Sequence, residues 1–213
     1  MTRRTNARIA GVAYLLYITV AFPSMVLMNN AMRAAGLAAH ASDVRIATVL
    51  SMLGGFCALI LAVTLWAITR PQDSELAMLG LTCRVAEGVI GAASLPATLA
   101  LLALAATTGA SAPDPGAMQA LTAFVMKQTP AISATFFAVG STLFCWLLLR
   151  GRMVPISLAW LGVCGSALVA IAVPLQVVAD LTSPLTQLIW IPIAIFEITV
   201  AFWFLIKGVD EQP

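Results

Sequence analysis

Charge is what this sequence has least of. Asp, Glu, Lys and Arg make up 9% of its 213 residues, where a soluble globular domain carries about 25%. A chain so poor in charge cannot cover a water-facing surface, which excludes an ordinary soluble domain. The net charge is only +2, and no basic run is interleaved with aromatic residues, so no nucleic-acid partner is expected. Histidine is reduced to His40, in a loop without carboxylates at ligand spacing. The four cysteines, Cys57, Cys83, Cys145 and Cys164, fall in apolar runs and show neither CxxC nor Cys/His spacing. Neither a metal nor any other cofactor is therefore expected. The phosphate-binding GxxxxGK[ST], the hydrolase GxSxG and the zinc HExxH patterns are missing too, so nucleotide, serine-hydrolase and zinc-protease chemistry have no support.

What the chain does have is long apolar runs. Hydrophobic residues are 61% of it and the mean hydropathy is +1.00, and an apolar run of about 20 residues crosses a bilayer as a helix. Six such runs occur, at about 8–28, 46–69, 76–107, 130–149, 156–179 and 185–207. The predicted fold is all-α: one polytopic membrane domain, residues 1–213, of six transmembrane helices. Arg3, Arg4 and Arg8 ahead of the first run resemble the start of a signal peptide. No small-residue cleavage pattern follows, so the run is read as the first span.

An even number of spans puts both ends on one side. Arg3, Arg4, Arg8, Arg70, Arg150, Arg152 and Lys207 flank the spans on that side, against Arg33, Arg45 and Lys127 on the other. The positive-inside bias makes both termini cytoplasmic. Trp66, Trp146, Trp160 and Trp203 cluster near the cytoplasmic ends of their spans as an interfacial belt, and Trp190 belongs to the outer half. The inner connections carry Pro71 and Pro155 and are short, as tight helical hairpins are. In the longer outer connection, Pro113-Asp114-Pro115-Gly116 makes a turn. Met118, Leu121 and Val125 then recur at helical spacing, either as a cap or as an extension of the fourth span. Asp180, with Thr182, Ser183 and Pro184, reads as a solvated turn. Pro23, Pro96, Pro174 and Pro192 all sit toward the outer side, where kinks would splay the helices and open a cavity.

Charges inside spans cost at least ~2.5–3.5 kcal/mol each before a partner is found, so they mark functional candidates. Three qualify: Arg84 and Glu87 on the third span and Glu197 on the sixth. Arg84 and Glu87 share a helix face and pair across one turn. At 1.5 Å per residue, Arg84, Glu87 and Glu197 lie roughly 12, 16 and 15 Å from the cytoplasmic boundary. Similar depth lets the three meet if spans three and six are neighbours. Arg84 then holds one carboxylate ionised while the other keeps its proton, as an acid/base pair requires. Tyr17 on the first span is placed to donate to a carboxylate or ligand. Phe136, Phe137, Phe196 and Trp190 are candidates to line an apolar pocket or to face a cation. The competing reading is a buried ion pair that fixes helix register.

Three stretches carry a family resemblance. They are Arg8-Ile9-Ala10-Gly11 with Tyr14-Leu15-Leu16, Arg84-Val85-Ala86-Glu87, and Pro192 to Glu197 running on through Trp203-Phe204-Leu205-Ile206-Lys207-Gly208. With these the chain resembles, over nearly its whole length, the bacterial integral membrane family catalogued as domain of unknown function 4386. The resemblance implies a six-helix protein of the bacterial inner membrane and no activity.

Three functions stay open on these residues. The first is an intramembrane enzyme with Glu87 and Glu197 as its acid/base pair and Arg84 setting their charges, acting on a small lipid-soluble, isoprenoid-like substrate. The second is a small transporter or ligand-binding protein, and the third an accessory subunit whose charged cluster only fixes the fold. The expected partners are the lipid bilayer and a small hydrophobic ligand. The sequence leaves the oligomeric state undetermined.

Overall fold

In the computed structural model the described residues are 1–33, 37–109, 112–179 and 188–209, apart from the side chains of 32–33 and 126–130. They form helices α1 (Arg3–Arg33), α2 (Ala41–Thr69), α3 (Ser74–Ala93), α4 (Leu95–Ala105), α5 (Pro115–Arg150), α6 (Ile156–Ala179) and α7 (Ile191–Ile206). A short 3-10 turn, Leu37–His40, leads into α2. Among the described residues six segments are long and apolar enough to cross a membrane, α3 and α4 together making one of them. The protein is a multi-pass membrane protein, and its regular structure among the described residues is all helical. The beginning of the sixth predicted span and the turn at Asp180 to Pro184 lie outside the described residues.

The third span is where the expected single helix divides. Pro96 has no N–H to donate and so sits in the first turn of a new helix, α4, after a break at Ser94. Pro23 and Pro174 lie inside α1 and α6 without ending them. Pro115 opens α5, whose N-cap Asp114 accepts from the Ala117 amide at 2.9 Å. α5 then runs unbroken for 36 residues, so the segment around Met118 to Val125 is an extension of the fourth span. His40 and Asp43 pair across the first turn of α2 at 3.1 Å, so His40 does have a carboxylate beside it.

The helices pack in a closed ring in chain order: α1 on α2, α2 on α3, α3 on α5, α5 on α6, α6 on α7, and α7 back on α1. α3 and α7 share no direct helix contact; they stand across the ring from each other. Both chain ends lie on one face, since Gly208 sits against the Arg4 side chain. We call it the terminal face and its opposite the far face. Two glycines let the ring close. A Cβ on Gly11 would lie 2.8 Å from Ala201 O and from Leu205 Cγ, and one on Gly162 would lie 2.6 Å from Phe196 Cε2. Such distances are inside van der Waals contact, so only glycine permits these approaches.

Burial is uneven along the bundle axis. The half toward the terminal face is solid, filled by Leu61, Leu65, Ile68, Phe144, Leu148, Met153, Val154 and Phe204, none more than 4% exposed. Across that face Asp73, which caps α3 by accepting from the Leu76 amide, reaches Arg150 at 3.3 Å and ties the two short connections together. The far half is looser. Beyond a small cluster of Ala31, Val44 and Leu102, it holds a cavity.

Candidate functional site

The buried stripe of α3 is Ala77, Gly80, Cys83, Arg84 and Glu87. Its spacing of three, three, one and three residues keeps it on one face. The face is apolar and small up to Arg84, so helix periodicity alone turns Arg84 and Glu87 into the bundle. α7 does the same with Ile193, Phe196, Glu197, Val200, Ala201 and Phe204. Glu197 therefore points inward because it stands one turn from Ile193 and from Ala201.

Arg84 Nη1 lies 2.8 Å from Glu87 Oε2, with the side chains 1% and 7% exposed. The contact is a charge pairing rather than a directed hydrogen bond. Neither the three guanidinium nitrogens nor Oε2 has a partner in hydrogen-bond geometry among the described residues. The guanidinium carbon also sits 4.7 Å from the centre of the Phe137 ring, a cation on an aromatic face. Gly140 on α5 makes this possible. A Cβ there would come within 3.0 Å of Arg84 Cγ and 3.1 Å of Gly80 O, so any other residue would push α5 off α3.

Glu87 is held from two further helices. Tyr17 on α1 donates its hydroxyl to Oε1 at 3.2 Å, and Ser133 on α5 donates to the Glu87 backbone carbonyl at 3.1 Å. Glu197, on the opposite side of the ring, is 7% exposed, and its Oε1 accepts no hydrogen bond from the described residues. The two carboxylates thus keep unlike company. Glu87 has an ion-paired guanidinium and a phenol donating to it; Glu197 has neither among the described residues.

Both carboxylates line the same cavity, about 740 Å³ in volume. Tyr17, Ser24, Glu87, Phe137, Trp190 and Glu197 contribute to its wall, with Gly54, Gly55, Gly88 and Gly91 widening it. Five of the six spans contribute, α6 alone standing behind the others. Tyr17, Glu87 and Glu197 form the floor, on top of the solid terminal half. Trp190, Met25 and Asn29 belong to the far-face end, where Met25 is 53% exposed.

Tyr17, Glu87, Phe137, Trp190 and Glu197, singled out from the sequence, meet at this cavity. Arg84 lies behind its wall, against Glu87 and Phe137. Phe137 and Trp190 also stand ring to ring, 6.1 Å between centres. Two of the aromatic candidates are elsewhere. Phe136, 38% exposed, faces away from the bundle, because its neighbour Phe137 takes the inward position of α5. Phe196, 1% exposed, fills the niche that Gly162 leaves between α6 and α7.

The structure adds Ser24 and Ser51 to the wall, joined Oγ to Oγ at 2.8 Å across α1 and α2, with Ser24 also donating to the Ala47 carbonyl at 2.9 Å. Hydroxyls in membrane helices commonly bond backbone, as Thr48, Thr64 and Thr69 do here. Nothing in the sequence separates the two serines from those threonines.

No curated protein and no solved structure matches the chain. The model of the family described as domain of unknown function 4386 matches residues 9–208, a stretch that takes in every residue of the cavity, and the chain belongs to that family.

Proposed function

We propose that the cavity is the active site of an intramembrane enzyme that works by acid/base chemistry on a small lipid-soluble molecule. The observation that carries this reading is the pair of carboxylates, on spans that do not touch, lining one mostly apolar cavity in unlike surroundings. Arg84 keeps Glu87 as the carboxylate, and Tyr17 orients it. Glu197 forms no ion pair among the described residues, Arg84 acting on it only from beyond ion-pair distance, and it is the group that gives a proton to the bound molecule or takes one from it. With a bound molecule filling the mostly apolar cavity, the proton moves between Glu197 and that molecule.

A purely structural role for the charges fits less well. Arg84 and Glu87 tie α3 to α1 and α5 through Tyr17, Ser133 and Phe137, but that structural role does not extend to Glu197 on α7. Glu197 pins nothing through its free oxygen.

The test is mass spectrometry of lipid extracts from membranes carrying the unaltered protein or the Glu197→Gln variant, both shown to be folded by size exclusion. The expected result is a lipid-soluble species that accumulates with Glu197→Gln and is depleted with the unaltered protein. Identical extracts from the two would overturn the enzymatic reading.

A further inference from the structure

We propose that the molecule this cavity takes is a lipid-soluble amine, held at the floor as its ammonium against Glu197. This rests on the cavity being a ligand site and names the class of ligand. The charges at the floor are two carboxylates and one guanidinium. Arg84 stands 2.8 Å from Glu87 and is 1% exposed, so those two charges answer each other. Glu197 remains. Among the described residues no Lys, Arg or His lines the cavity; Arg84, behind the wall and paired with Glu87, acts on Glu197 only from beyond ion-pair distance.

A buried carboxylate without a cation is costly, and it meets that cost either by keeping a proton or by finding a positive ligand. An amine satisfies both conditions in turn. It crosses the apolar part of the cavity as the neutral base. At the floor the O–H bond of the Glu197 carboxylic acid breaks and an N–H bond forms, leaving ammonium and carboxylate as an ion pair. No other reactant is needed. The rings of Phe137 and Trp190 line the same space, and aromatic faces attract a desolvated cation. The glycine-widened apolar wall receives the hydrocarbon part. An anionic amphiphile would instead meet Glu87 and Glu197 as like charges, and a neutral alcohol could offer the Glu197 oxygen a hydrogen bond but no opposite charge.

The test uses the full chain in phosphatidylcholine nanodiscs and three probes of equal chain length: dodecylamine, dodecanol and dodecanoate. Binding is read as the shift of the thermal unfolding midpoint with probe concentration. Two variants accompany the unaltered protein. Glu197→Gln removes the charge. Gly55→Leu fills the cavity, and a Cβ at Gly55 meets nothing within 4 Å. Dodecylamine is expected to bind most tightly, with its apparent affinity falling about ten-fold or more in Glu197→Gln, since an ion-paired hydrogen bond is lost. Its binding should also vanish in Gly55→Leu.

Equal binding of all three probes, abolished by Gly55→Leu, would overturn the amine class while leaving the cavity as a ligand site. Indifference of every probe to Gly55→Leu would overturn the cavity reading itself. Amine binding that Glu197→Gln does not weaken would overturn the assignment of the ammonium to Glu197. Should Glu197→Gln fail to fold, the ranking of the three probes on the unaltered protein still decides the class.

Discussion

At the scale of single residues, the interactions of Arg84 and Tyr17 differ by several-fold in what they contribute to stability. Removing Arg84 leaves Glu87 as a buried carboxylate without its cation, a change that costs about 3–5 kcal/mol where it has been measured for buried pairs. Arg84→Met is therefore expected to lower the thermal unfolding midpoint strongly in detergent. The double variant Arg84→Met/Glu87→Leu should recover most of that loss, because an apolar pair needs no charge compensation. The Tyr17 hydrogen bond is a smaller matter. Hydrogen bonds between membrane helices average about 0.6 kcal/mol, so Tyr17→Phe should leave the unfolding midpoint almost unchanged. If Tyr17 serves to orient Glu87 in the reaction, the same variant should slow turnover in the lipid-extract assay while leaving stability alone. A large loss of stability in Tyr17→Phe would make Tyr17 a structural residue instead.

Among elements, close approach decides what can change. α1 against α7 and α6 against α7 both depend on a glycine whose Cβ would stand within 2.8 Å of a neighbouring atom. Gly11→Val and Gly162→Val should each destabilise by about 1–3 kcal/mol or more, the range for overpacking a filled site. The readout is the unfolding midpoint. Gly55→Ala serves as the control, since nothing lies within 4 Å of the added carbon, and should be close to neutral.

The same comparison shows how far the elements were legible in the sequence. Apolar runs of spanning length announced the helices, because a bilayer demands a whole helix of such residues. Pro96 announced a disturbance in the third span. Whether it would bend the helix or end it was not legible; in the structure α3 stops at Ala93 and α4 starts anew at Leu95, with Pro96 in its first turn. The stretch around Met118 was no more legible. It continues into α5 as one helix, although its own periodicity served a cap equally well.

For the whole molecule, the ring is closed by its first and last helices, and both chain ends share one face. Arg3, Arg4, Arg8, Arg70, Arg150, Arg152 and Lys207 all belong to that face, and on the far side Arg45 is exposed. The positive-inside bias of these charges predicts that the terminal face is the cytoplasmic one. A fluorescent protein fused to the C-terminus should therefore light up in a bacterial host, and alkaline phosphatase fused there should stay inactive. The reverse pattern would turn the molecule over and place the cavity mouth toward the cytoplasm.

The sequence by itself determined that the chain is a membrane protein, that six of its segments are long and apolar enough to cross, and that Arg84, Glu87 and Glu197 stand at similar distances along their helices. Those properties follow from hydropathy, length and the fixed rise of a helix, all local quantities. Depth along a helix axis is one coordinate only, however. The sequence reading needed spans three and six to be neighbours for Arg84, Glu87 and Glu197 to come together. In the structure α3 and α7 are not neighbours. Glu87 and Glu197 instead share a cavity, because α3 and α7 stand opposite each other in a ring whose far half is not filled. Direction around a helix, the order of helices around the ring, and the space left between them arise from contacts between residues far apart in the chain. Such contacts are absent from any single stretch, so only the tertiary structure could separate Phe137 from Phe136 and find Ser24 beside Ser51.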